Sequence, residues 1–183
     1  MSRFGWLFLL IVCGCATPVP LPKDYSLQKR IMLPFKVDAI VINDLRTNTT
    51  SANMDLPVFV TKAKEWTKSP TLSADLEAEI TGMIQASSFS DGLAADVTVS
   101  INEGYYRVYG NARQVGEYTF FECKINYVSK ESGESWTVKN NSYSDYSGVF
   151  NATEKHVSES YKVTVRNAVF KALKESEKIF DVQ

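Results

Sequence analysis

The spacing of apolar side chains after residue 30 predicts a series of strands. A largely apolar run from Phe35 to Asn43 predicts a strand that lies inside a sheet, because both of its faces are apolar. A short second strand is expected over Leu56–Thr61, where Pro57 confines it to a sheet edge or a strand start. Strict alternation over Asp96–Ile101 predicts a further strand, which we expect to continue towards Tyr109.

Two helices are predicted, one on either side of a long hairpin. The first begins at Ser69-Pro70, and the second begins at a capping box in which Glu154 follows Asn151. Between them, residues 114–129 and 134–146 predict paired strands joined by a turn at residues 130–133. The apolar positions of the helices are Leu72, Leu76, Ile80, Met83 and Ile84 in the first, and Val157, Tyr161, Val165, Ala168, Val169, Ala172 and Leu173 in the second. This order favours an α+β fold: a two-layer sandwich with a mainly antiparallel sheet and two helices packed on one face.

The first residues carry the pattern of a bacterial lipoprotein signal. Arg3 precedes an apolar run from Phe4 to Val12, which is too short to span a bilayer, since spanning takes about 20 residues. The run ends in Val-Cys-Gly-Cys, which resembles a lipobox with a small residue before Cys15. We therefore expect cleavage before Cys15 and acylation of its sulfur. Cys13 is the rival acceptor, and an ordinary cleaved signal or an uncleaved short anchor are the alternatives.

The segment after Cys15 predicts a tether to a membrane. Three prolines fall within residues 18–22 and favour an extended spacer. Each buried methylene contributes about 0.8 kcal/mol, so two or three acyl chains make a permanent anchor. Ala16, rather than Asp, follows the cysteine, which favours the outer membrane with the domain on its periplasmic side. The chain then divides into a signal peptide (1–14), a lipidated cysteine with a Pro-rich tether (15–30) and a single periplasmic domain (31–183).

Composition narrows the class of partner. Hydrophobic residues make up 44% of the 183 positions and aromatic residues 12%, enough for a compact core. The formal net charge is −1 and becomes one unit more negative once Arg3 is removed, so no nucleic acid partner is expected. Cys123 is then the one unmodified cysteine, and its apolar strand context predicts a buried, unreactive thiol.

The sequence lacks a recognisable catalytic or metal-binding motif. His156 is the single histidine and is expected to be a solvated helix residue, and no Gly-x-Ser-x-Gly motif accompanies it. Neither Cys-x-x-Cys nor an Asp-rich calcium loop occurs, so we predict no metal and no cofactor. Carboxylates of the hairpin, Glu117 among them, are expected to face solvent. The prediction is a non-enzymatic protein.

Two surfaces are candidate binding sites. Lysines 62, 64 and 68 surround Trp66 and would suit an anionic glycan or lipid headgroup, with an ordinary solvated loop as the alternative. Aromatic residues of the strands would form a patch for a protein or hydrophobic ligand, with plain cross-strand packing as the alternative. The candidate partner-binding residues are Tyr105, Tyr106, Tyr109, Tyr143, Tyr146 and Trp66.

Several short motifs resemble the YajG-like family of proteobacterial lipoproteins. They are Cys15-Ala16-Thr17-Pro18, Arg46-Thr47, Gly110-Asn111 with Arg113, and Ser142-Tyr143 with Gly148 and Phe150. The resemblance implies an outer-membrane lipoprotein with an α+β domain and without established enzymatic activity. We therefore expect an accessory subunit that binds a protein or envelope component in an assembly or transport system. The alternatives are a cell-wall-directed hydrolase and a purely structural envelope lipoprotein.

Overall fold

The computed structural model describes residues 20–27, 30–53, 56, 64–110, 115–148 and 153–180. Cys15 and Asn151 lie outside these residues, as does the predicted strand Leu56–Thr61 apart from Leu56. In the part that is described, none of the helices is long and apolar enough to cross a membrane.

The described residues form one sheet of five strands and two helices, which confirms the α+β sandwich. The strands are β1 (Phe35–Asp44), β2 (Lys64–Lys68), β3 (Leu93–Gly110), β4 (Val115–Ser129) and β5 (Ser135–Gly148). The helices are α1 (Ala74–Ser87) and α2 (Glu154–Phe180). The strand order is β1-β3-β4-β5, and β2 pairs with the second half of β3.

The long β3 and β4 strands organise the sheet. β3, β4 and β5 are antiparallel neighbours, as the hairpin pattern predicts, and Gly133 adopts a φ of 73° in the turn between β4 and β5. β1 runs parallel to β3 and lies at one end of the strand order, so the expectation of an inner strand was wrong. A register shift between Ile101 and Glu103 divides β3 into a half that pairs with β1 and a half that pairs with β2.

Both helices cover one face of the sheet, and the core lies between these two layers. Ser73 caps α1 by accepting a hydrogen bond from the Leu76 backbone N–H at 3.3 Å. Thr153, not the expected Asn151, caps α2 by accepting from the His156 backbone N–H at 3.2 Å. All seven predicted apolar positions of α2 are buried. Cys123 is also fully buried, as expected, and burial raises its pKa to about 12.

Residues just after the predicted anchor pack on the outer side of α2. Asn167 accepts a hydrogen bond from the Tyr25 backbone N–H at 2.8 Å and donates one to the Lys23 carbonyl at 2.9 Å. Arg166 binds Asp24 at 2.8 Å and Glu79 of α1 at 3.1 Å. The described part of the predicted tether is therefore held against both helices.

Candidate functional site

Aromatic side chains cluster on the sheet face opposite the helices. Tyr105 of β3 stacks on Phe120 of β4 with ring centroids 5.5 Å apart, and it lies 6.0 Å from Tyr118. Tyr118 in turn stacks on Tyr143 of β5 at 6.1 Å. These contacts follow from the register, which places Tyr105 opposite Phe120 and Phe120 opposite Tyr143. We call the surface formed by Tyr105, Arg107, Tyr109, Tyr118, Phe120 and Tyr143 the aromatic face.

Arg107 supplies a positive charge between two of these rings. Its Cζ atom lies 5.9 Å from the centroids of both Tyr105 and Tyr118, within cation–π range. Its Nε atom lies 3.0 Å from the Glu65 carboxylate of β2, so the guanidinium also joins β2 to the patch. Burial raises the pKa of the Tyr118 hydroxyl, and the neighbouring Tyr105 raises it further. Tyr118 therefore stays neutral at physiological pH.

The aromatic face is ordered but open to solvent. Tyr109 donates a hydrogen bond to Asp145 of β5 at 3.3 Å, and Tyr105, Tyr118 and Phe120 are half-buried by one another. Tyr143 is 65% exposed. An exposed aromatic ring fixed by a neighbouring ring has little conformational freedom to lose on binding, which is the property of an interface anchor.

The predicted binding residues divide between the two faces of the sheet. Tyr105, Tyr109 and Tyr143 lie on the aromatic face. The expectation for Tyr106 was wrong, because this residue is fully buried in the core under α2. Tyr146 lies opposite Glu117, and Trp66 lies opposite Val108, so both are on the helix-covered face. Trp66 remains 41% exposed there, apart from the aromatic face.

A polar cavity of about 420 Å³ adjoins the aromatic face at Tyr105. It lies beside the part of β3 between Ile101, the last residue that pairs with β1, and Tyr106, the first residue that pairs with β2. Arg46 forms its floor, with its side chain 4% exposed. The guanidinium binds Asp44 at 2.5 Å and 2.7 Å and donates to the Gly104 carbonyl at 2.9 Å. Burial raises the pKa of Asp44, but the hydrogen bonds and charge of Arg46 outweigh it and hold that pKa below its ordinary value.

His156 and Glu117 form a pair that the sequence reading did not predict. His156 Nδ1 lies 2.8 Å from Glu117 Oε2, and the two side chains are 15% and 2% exposed. The expectations of a solvated His156 and a solvent-facing Glu117 were therefore wrong. A carboxylate that orients an imidazole also occurs in acid–base catalysis, but a substrate would have to reach a group enclosed between β4 and α2. The geometry favours a structural tie between these elements.

The comparisons with known proteins include a distant structural neighbour. No protein-family model matches the sequence, and no curated protein matches it. A protein of Caulobacter crescentus CB15, provisionally described as a lipoprotein, is similar at 10% identity with a TM-score of 0.41. The similarity covers 60% of this chain and 83% of that one. It is too distant to carry an argument about function, so acylation of Cys15 and the YajG-like resemblance stay predictions.

Proposed function

We propose that this protein is a non-enzymatic lipoprotein, anchored through acyl chains on Cys15, which binds another envelope protein through its aromatic face. The outer membrane, with the domain on the periplasmic side, is the proposed location. The observation that carries the binding role is the row of stacked rings ending in the exposed Tyr143. The lipobox-like sequence before Cys15 supports the anchor.

The chemistry of the aromatic face suits a protein partner. The cores of protein–protein interfaces are enriched in Tyr, Phe and Arg, and the aromatic face consists of these residue types. The charged groups Arg107 and Asp145 are already engaged within the patch, by Glu65 and Tyr109. A partner therefore meets mainly ring edges and hydroxyl groups, which it can cover without separating an ion pair from its counter-charge.

The anchor is tested by labelling cells with radioactive palmitate. Wild-type protein is expected to take up label, and Cys15→Ser is expected to abolish it. Cys13→Ser is the matched control, because it removes the neighbouring cysteine and is expected to leave labelling intact. Label that survives Cys15→Ser but not Cys13→Ser would show that the acceptor is wrongly assigned, and an unlabelled wild type would refute the anchor.

The partner-binding role is tested by photo-crosslinking in living cells. A photoreactive amino acid at Tyr143 is expected to capture a defined protein, whereas the same group at the exposed Lys174 of α2 is the matched control. Tyr143→Ala should weaken binding to the captured protein at least about tenfold, as truncation of an interface anchor does. Equal capture from both positions, or unchanged affinity of the variant, would contradict the assignment.

A further inference from the structure

The side of the domain on which the chain enters is fixed by buried contacts of α2. Tyr161 packs edge-on against Phe121 of β4, and Ser176 lies 3.0 Å from the Tyr127 hydroxyl of the same strand, so this side of α2 faces the sheet. Successive residues of a helix turn by about 100°, which places Asn167 and Phe170 on the other side of α2. Asn167 is nevertheless 4% exposed and Phe170 9% exposed. Asn167 is covered by the backbone of Lys23–Tyr25, so this outward surface is where the N-terminal segment lies.

The entry point lies near the middle of the helical layer and not at its margin. Arg166 of α2 joins Asp24 of the segment to Glu79 of α1, so the segment bridges the two helices. Beyond Asp24, the side chains of Ser26 and Ile31 line a shallow depression together with Met83 of α1 and Phe170 of α2. Chain entering at this point must first pass the outer surface of the helices.

The short stretch of chain between Cys15 and Lys23 limits how the domain can be oriented relative to the bilayer. Cys15 and Lys23 are eight residues apart in sequence, which spans at most about 28 Å when fully extended. If the aromatic face lay against a bilayer, the chain between Cys15 and Lys23 would have to cover the distance from that face to the outer surface of the helices. The helix layer and the sheet layer together make this distance about 20 Å. It would also have to run about 10 Å sideways around the sheet, whose strands are spaced about 4.8 Å apart. Together these two distances are about 30 Å, which is more than the eight residues can span when fully extended.

We infer that the N-terminal segment holds the helical layer towards the membrane and presents the aromatic face to a partner on the aqueous side. This inference depends on the proposed lipid anchor. The orientation specifies the kind of partner. The partner is a protein domain in the aqueous phase, either a soluble protein or the extramembrane domain of a membrane protein, and it approaches from the side opposite the bilayer. A partner buried in the same membrane would not reach Tyr143.

The orientation is measured on the full-length acylated protein in vesicles that contain lipids with a nitroxide on the headgroup. A fluorophore is attached to one introduced cysteine, either Gln85→Cys on α1 or Thr137→Cys on the sheet face opposite the helices. Both positions are exposed, and Cys123 is buried and does not compete for the label. Quenching at position 85 should exceed quenching at position 137 about twofold or more, because the two layers differ in distance from the lipid by about 20 Å.

A longer tether provides the control. Insertion of about 15 Gly and Ser residues after position 19 adds about 20 Å of average reach without touching the contacts of Asp24 and Asn167. The difference in quenching between the two labels should then fall towards zero. Equal or reversed quenching in the protein with its natural tether would overturn the inferred orientation. Failure of the anchor itself is seen separately, as protein that does not float with the vesicles, and that result would overturn both proposals.

Discussion

Removal of the His156 imidazole should destabilise the fold through the carboxylate it leaves behind. Glu117 is 2% exposed, and His156 Nδ1 is 2.8 Å from its Oε2 atom. Breaking a buried pair by deleting one partner costs about 3–5 kcal/mol. His156→Ala should therefore lower the free energy of unfolding by about 3–5 kcal/mol at pH 7.

The same reasoning predicts how the loss depends on the partner. Glu117→Gln carries no charge and keeps a hydrogen-bonding group, so alone it should cost about 1 kcal/mol. The double variant, Glu117→Gln with His156→Ala, should be more stable at pH 7 than His156→Ala alone.

Urea unfolding at pH 7 measures these differences, provided that the slope of the transition is unchanged between variants. A loss of about 3–5 kcal/mol is a large part of the 5–15 kcal/mol that holds a typical domain folded. The explanation fails if His156→Ala costs less than about 1 kcal/mol at pH 7. It also fails if the double variant is no more stable than His156→Ala, because the stranded charge would then not be the cause.

Two further predictions concern Asp44 and Cys123. The pKa of Asp44 is lowered by Arg46, so the stability this pair contributes is present above the ordinary pKa of 3.8 and is lost as the pH falls below that value. Asp44→Asn should flatten that loss in acid unfolding curves, and an unchanged curve would contradict it. Cys123 should resist a maleimide reagent in the native state, because burial raises its pKa to about 12, and should react in urea; rapid native labelling would show that β4 opens.

Regular alternation along the strands accounts for the core positions that the sequence could predict, and a break in that alternation in β3 accounts for the error over Tyr106. Val97, Val99 and Ile101 face the core as expected. The register shift after Ile101 then exchanges the two faces, so Tyr106 points inward and Tyr105 outward. A one-residue irregularity of this kind has no apolar signature of its own, and it inverts every position that follows.

For the Glu117–His156 pair, the sequence could have predicted the burial of Glu117 but not the identity of its partner. Alternate residues of a strand point to the same face, so Glu117 shares its side of β4 with Phe121 and Cys123. Because those two residues are apolar and buried, the alternation also predicts that Glu117 is buried. Its partner did not follow, because His156 lies 39 residues later on a helix whose position over β4 depends on the whole sheet. A buried charge signals that a partner exists, but only the packed structure shows which residue it is.

The contact between the N-terminal segment and α2 joins the two ends of the domain across 142 residues. Ribosomal synthesis, and any threading across a membrane that starts with the N-terminus, deliver residues 23–25 first and α2 last. Until α2 emerges, Asp24 has no Arg166 and the Tyr25 amide has no Asn167, so the earliest part of the domain waits for the latest. Folding can therefore be completed only after α2 has been released, and a chain that lacks α2 shows its defect next to the segment that leads to Cys15.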